Sequence, residues 1–292
     1  MFYTLVNHQY KFIVFWNPKC GCTLLKNWFY RVTCPDRDLP SVPQRIHRLL
    51  KMNRHEFYVS KEEILEKYND YFKFIVTRNP YERIVSYYCN KIINRQSDLV
   101  LDEKKRMTNK NCQLNFHQFC RFLLRMRKNY KLEHHAKPQF YGLGKIDFDL
   151  IIDLKDLNMM LPKIHTKLNI EKDIPYDEIL ESINRKGEKA GGNKTKYDSN
   201  FKKDVSNKKP NDFKKIPEFI HFYDDDSIKI IKDIYKNDFL NFGYSLKLGE
   251  NSNKITKNCL DIESESESEL ELELKDFFDG KCGPQTVTIF KA

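Results

Sequence analysis

The chain has 292 residues, 40% hydrophobic and 32% charged, with a formal charge of +10, a size that supports one large domain or two modest ones. This composition excludes a chain disordered throughout, and no run approaches the roughly 20 apolar residues needed to span a bilayer. The positive charge suits a polyanionic partner: nucleotide, nucleic acid, anionic polysaccharide or membrane surface.

The N-terminus lacks a basic region followed by an apolar stretch and a small-residue cleavage site, so a soluble, cytoplasmic protein is expected. Residues 11 to 16, KFIVFW, are an apolar run rich in β-formers, broken by Asn17 and Pro18. Leu24, Leu25, Trp28, Phe29 and Val32 follow at helical spacing, which predicts strand, loop, helix. A basic stretch comes next, with Arg45, His47, Arg48, Lys51 and Arg54. A helix is then predicted from about Ser60, where Ser60 and Glu63 make a capping box. Residues 72 to 76, FKFIV, begin a second strand, loop and helix: TRNP is the loop, and Ile84, Val85, Tyr88 and Ile92 share one helix face. Residues 113 to 130 read as an amphipathic helix, 146 to 152 as a buried strand and 156 to 168 as a helix. From Asp224 onward the spacing predicts a helix with Ile228, Ile231, Ile234 and Tyr235 on one face. Strands alternating with helices predict an α/β fold with a central, mainly parallel sheet.

Two stretches depart from this pattern. Residues 183 to 215 are rich in Lys, Asn, Gly and Asp with few apolar anchors, which predicts a mobile loop or lid. Residues 249 to 292 include the acidic repeat ESESESELELEL, so the expected organisation is a folded domain over 1–248 and a low-complexity, disordered tail over 249–292. Residues 261 to 279 hold nine acids and one Lys, a net of −8, so the rest of the chain carries +18. Either a solvated extension or an intramolecular mimic of an anionic ligand fits that tail.

A loop between a buried strand and a helix N-terminus offers unpaired N–H groups and the positive end of the helix dipole, which favour an anion. Pro18-Lys19-Cys20-Gly21-Cys22-Thr23 suits that role: Gly21 permits close approach, Lys19 brings charge and Thr23 a hydroxyl. An ordinary turn with an incidental lysine is the competing reading. The GxxxxGK[ST] spacing of a nucleoside triphosphate loop is missing. Arg78 follows the second strand directly and Ser86 lies eight residues on, an Arg fork plus hydroxyl that would receive a phosphate. A plain ion pair from Arg78 to Glu82 is the alternative. The eight cysteines include no CxxC and no second cluster at zinc spacing, so free thiols are expected.

These residues carry a resemblance. PKCGCTLLKNW is similar to the 5′-phosphosulfate loop, and FIVTRNPYERIVSYYCNK to the 3′-phosphate segment, of sulfotransferases that use 3′-phosphoadenosine 5′-phosphosulfate (PAPS). The nearer likeness is to the carbohydrate branch, with its membrane-anchored Golgi enzymes acting on chondroitin and related glycans. IYKNDFLNFGY resembles that family's closing helix and turn, so the likeness covers about residues 10 to 245. It implies a P-loop-like three-layer α/β sandwich and transfer of a sulfuryl group from PAPS to a hydroxyl of a carbohydrate acceptor. Lys19, Cys20, Gly21, Cys22, Thr23 and Lys26 are then expected at the 5′ end of the donor, and Arg78 and Ser86 at its 3′-phosphate. Cys22 is expected to pack beneath the loop. EHHAKPQ resembles the segment that supplies a base, which makes His135 or His134 the candidate; histidines without catalytic duty are the alternative. RKGEKAGGNKT resembles family segments that close the cofactor site, which adds Lys194 and Thr195, against the reading of a solvated basic loop. No metal is implied, because Lys, Arg and helix termini meet the donor's charge, and a nucleic-acid partner is not expected. The alternatives of another class are a kinase-like enzyme using ATP and a non-catalytic polyanion binder.

Overall fold

The computed structural model describes residues 3–93, 114–128, 132–144, 146–170 and 216–250. All lie in the first of the two units, Met1–Lys257 and Asn258–Ala292, into which the chain divides. The predicted loop over 183 to 215 and nearly all of the acidic tail lie outside the described residues.

Four short strands form one sheet in the order β1 (Thr4–Asn7), β2 (Phe12–Phe15), β3 (Phe72–Thr77) and β4 (Leu150–Asp153). β1 runs antiparallel to β2, while β2, β3 and β4 are parallel, with Phe12 opposite Phe72 and Ile75 opposite Ile151. Every residue of β1 and β2 is buried, as expected of strands covered on both faces. Alternation sends Ile13, Phe15 and Ile75 into one core and Phe12, Val14, Phe74 and Val76 into the other. The fold is therefore an α/β sandwich of three layers around a mostly parallel sheet.

The second core is closed by α1 (Cys22–Thr33), α2 (Ile46–Met52), α3 (Arg54–Phe57) and α7 (Leu157–Lys167). The first is closed by α4 (Lys61–Lys67), α5 (Pro80–Tyr88), α6 (Phe116–Lys128), α8 (Asp225–Ile234) and α9 (Lys236–Asn241). Ser60 caps α4 with the expected box: its hydroxyl accepts from Glu63 N at 3.1 Å, and Glu63 accepts from Ser60 N at 2.8 Å.

Two expectations need correction, and one strand is added to the predicted set. β1 was not anticipated; it is the first arm of a hairpin whose loop is turned by Asn7, its Oδ1 accepting from Tyr10 N at 2.7 Å. The third parallel strand begins at Leu150 rather than 146, and just before it Asp149 accepts from Lys73 N at 2.6 Å through its side chain. The C-terminal helix is two helices that break at Tyr235, with Ile230, Ile231 and Ile234 buried and Ile228 only half-buried.

Candidate active site

β2 delivers the chain to Pro18-Lys19-Cys20-Gly21 at the end of the sheet, and α1 starts at once from Gly21 with no side-chain cap. Lys19 and Gly21 both take left-handed backbone, φ 71 and 67. The turn favours glycine, and a Cβ on Gly21 would lie 2.5 Å from Leu154 Cδ1, so that side chain would have to shift to admit one. The first intrahelical bond is Leu25 N to Gly21 O at 3.1 Å, which leaves the N–H groups of the first turn directed out of the helix end.

β3 delivers Arg78 beside that loop. Its Nη1 donates to Lys19 O at 3.4 Å and its Nε to Glu82 at 3.3 Å, while Lys155 pairs with the other Glu82 oxygen at 2.9 Å. The ion pair to Glu82 and a place in the cleft therefore coexist. Ser86 lies two turns along α5, and the helix then widens into a π turn over Cys89–Ile93 that carries Lys91.

The segment holding His134 and His135 is anchored by Arg83, which has no exposed surface. Arg83 Nε donates to Pro18 O at 3.2 Å, and its Nη2 donates to His135 O at 3.1 Å and Lys137 O at 2.6 Å. One guanidinium thus ties the loop over residues 18–21 to the histidine segment. Gln139 completes the frame: its amide accepts from Arg78 N at 2.9 Å and donates to Arg78 O at 2.8 Å, pairing with that residue as a neighbouring strand would. Asp238, at the start of α9, accepts from Gln139 N and Phe140 N, both at 2.8 Å, and lies 3.9 Å from Arg83. Tyr235 donates to Ala136 O at 2.7 Å. The break between α8 and α9 is what brings Tyr235 and Asp238 to this segment together.

These elements surround an open cleft of about 720 Å³. Lys19, Gly21, Cys22, Thr23, Arg78, Ser86, His134 and His135 line it, as do Trp16, His47, Asn90 and Lys91. Two of the expected ligands stand behind its wall. Cys20 is fully buried, with its Sγ donating to Gln139 Oε1 at 3.0 Å, so Cys20 packs beneath the loop, whereas Cys22 was expected there and instead faces the cleft. Lys26 is buried over the Trp16 ring, 3.3 Å from its centroid, and 3.1 Å from His47 Nδ1. Lys194 and Thr195 lie outside the described residues.

The electrostatics follow from burial. Burial, reinforced by Arg78 and Lys91 against the opposing pull of Cys22, brings Lys19 down to about 8. Burial also lowers His135 below its ordinary value, although the hydrogen bond to Glu133 works against it. Glu133 would be raised by its own burial, but hydrogen bonds from His134 and His135 outweigh that and hold it well below the carboxylate range. Both Nδ1 atoms turn onto Glu133 Oε1, that of His135 at 2.8 Å. An ionised Glu133 fixes the His135 proton on Nδ1 and leaves Nε2 with a lone pair, the form of a base. Glu133, His134 and His135 also hold three potential metal-ligand atoms within 4.8 Å, but those atoms already converge on one another through the shared carboxylate.

Sequence reasoning missed Gln139, Asp238 and Arg83 as the frame and His47 as part of the wall. His47 stood in the basic stretch, and Asp238 in the closing motif, without a signal for what each would touch. A family model described as the sulfotransferase family matches residues 3–245. No curated protein and no solved structure matches the chain.

Proposed function

The chain belongs to the sulfotransferase family, and from that premise we propose that it moves a sulfuryl group from PAPS to a hydroxyl of a carbohydrate acceptor by in-line displacement. The observation that carries this reading is the meeting, in one cleft, of two anion receptors from separate strand–loop–helix units, Lys19 with the α1 N-terminus and Arg78 with Ser86, beside a histidine oriented by a carboxylate. A ligand with one anionic end and a second, separate phosphate is what such a pair accommodates. The carbohydrate acceptor rests on the motif likeness of the first loop, the Arg78 segment and the closing turn.

In this reading the protein works by positioning and charge stabilisation, as in phosphoryl transfer. Lys19 meets negative charge that grows on the departing phosphate, and the N–H groups of Cys22 and Thr23 support it. Arg78 and Ser86 hold the 3′-phosphate, which separates this donor from ATP. His135 accepts the acceptor hydroxyl proton at Nε2, worth about 10²- to 10⁴-fold, and Glu133 stabilises the resulting imidazolium.

The test is binding of 3′-phosphoadenosine 5′-phosphate against ADP and ATP, followed by transfer of labelled sulfate onto a glycan panel. The expected result is a preference for the 3′-phosphate that Arg78→Ala abolishes, and transfer that Lys19→Ala and His135→Ala remove. Equal affinity for ATP in the parent chain would overturn the donor, and full rates in both variants would overturn the mechanism.

A further inference from the structure

His47 has no part in the mechanism above, yet it faces the cleft between Thr23 and Lys26. Its Nε2 lies 3.1 Å from Thr23 Oγ1, and its Nδ1 lies 3.1 Å from Lys26 Nζ. Lys26, in turn, has only 2% of its surface exposed and is clamped against the Trp16 ring. Four residues from three elements, β2's trailing Trp16, Thr23 and Lys26 on α1, and His47 on α2, therefore form one chain of contacts ending at the anion loop.

The direction of that chain follows from donor counting. A lysine ammonium has three donors and no acceptor, so the Nδ1 that meets it must present a lone pair. A neutral imidazole with its lone pair on Nδ1 carries its proton on Nε2, and Thr23 Oγ1 then accepts. The charged and titratable groups facing the pair agree. Burial, then Lys26, then His135 push His47 down to about 4, which keeps it neutral. Burial brings Lys26 down to about 8 against a contrary pull from Cys22, which leaves it charged at neutral pH. Among the described residues the Thr23 hydroxyl has no other side-chain partner.

We propose that His47 is a positioning residue: locked by Lys26 as the Nε2–H tautomer, it donates to Thr23 and so leaves the Thr23 hydroxyl proton to the anionic 5′ end of the donor. Lys26 then acts through His47 rather than by touching the ligand. This role rests on the donor reading above. It also explains why a lysine one turn into α1 is kept beneath the wall, where its charge would otherwise be costly to bury.

Two measurements test it. Ring nitrogen shifts of His47 in the wild-type chain at pH 7 are expected to show the neutral Nε2–H form, and Lys26→Met is expected to yield a mixture of tautomers. A protonated ring or an Nδ1–H form in the wild type overturns the proposal. His47→Leu is expected to weaken 3′-phosphoadenosine 5′-phosphate by about tenfold and to leave adenosine 3′-phosphate, which lacks the 5′ group, nearly unchanged. His47→Gln, whose amide supplies both a donor and an acceptor, is expected to recover most of the loss and serves if the Leu variant does not fold. Equal weakening of both ligands, or of neither, overturns the role while leaving the donor reading intact. A wild-type chain that binds neither ligand overturns the donor reading, and this role with it.

Discussion

Lys19 combines two costs that a surface lysine would avoid. It holds left-handed backbone, which disfavours a side chain by about 1–2 kcal/mol, and burial depresses its basicity to about 8. Both are intelligible if its ammonium is aimed at an anion that restores its charge. His135 is depressed in the same direction, toward the neutral base, again by burial first. The two together predict a bell-shaped kcat/KM profile. Rate falls with acid as His135 gains a proton, with that limb below pH 6.5, and falls with alkali near pH 8 as Lys19 loses one. Lys19→Arg should move the alkaline limb upward; a limb that stays in place assigns it to another group. Gly21→Ala should remove activity and cost about 1–2 kcal/mol from the backbone alone, with Leu154 crowding adding to it. Thermal unfolding alongside a transfer assay checks both halves.

Among the elements, the site is held by the C-terminal pair of helices as much as by the two loops. α9 places Asp238 where each carboxylate oxygen accepts from a backbone N–H and the Arg83 guanidinium lies 3.9 Å away, so a carboxylate with no exposed surface is hydrogen-bonded and faces an opposite charge. Removing one partner of such a pair leaves the other buried and unmatched. Asp238→Leu or Arg83→Met alone should therefore cost about 3–5 kcal/mol in denaturant unfolding. The double variant Arg83→Met, Asp238→Leu should cost well below the sum of the single losses. Additive losses would show that the two side chains act independently. The Ser60 cap is a local contrast: its side-chain hydrogen bond stays within its own helix, so Ser60→Ala should cost about 1 kcal/mol and leave transfer rates unchanged.

For the molecule as a whole, the charge is divided. The segment from 261 to 279 carries −8 and the remainder +18, and the cleft gathers Lys19, Arg78 and Lys91 from that positive remainder. Since the cleft is open to solvent, the attraction for a polyanionic donor that the proposed function entails is screened by salt. Affinity for 3′-phosphoadenosine 5′-phosphate should weaken several-fold as ionic strength rises from about 0.05 to about 0.5 M, where the Debye length contracts to a few ångströms. Titration calorimetry across that range measures the slope, and a flat response would mean that short-range hydrogen bonds dominate binding.

Both strand–loop–helix units were legible in the chain because each is contiguous: a buried strand, a turn and a helix start lie within a dozen residues, and their charged and hydroxyl groups keep fixed spacing. The α/β alternation and the Ser60 cap were readable for the same reason, since period and capping chemistry are local. Which cysteine faces inward was not readable. Cys20 and Cys22 sit at equivalent places in the pattern, and only contact with Gln139, 119 residues away, turns Cys20 under the loop. The same holds for Arg83 as a tie between loops, for Asp238 as its counter-charge and for His47 between Thr23 and Lys26. Strand, turn and helix start are written in local spacing, whereas burial, pairing and protonation arise between segments that the fold brings together, so those were decided by tertiary structure alone.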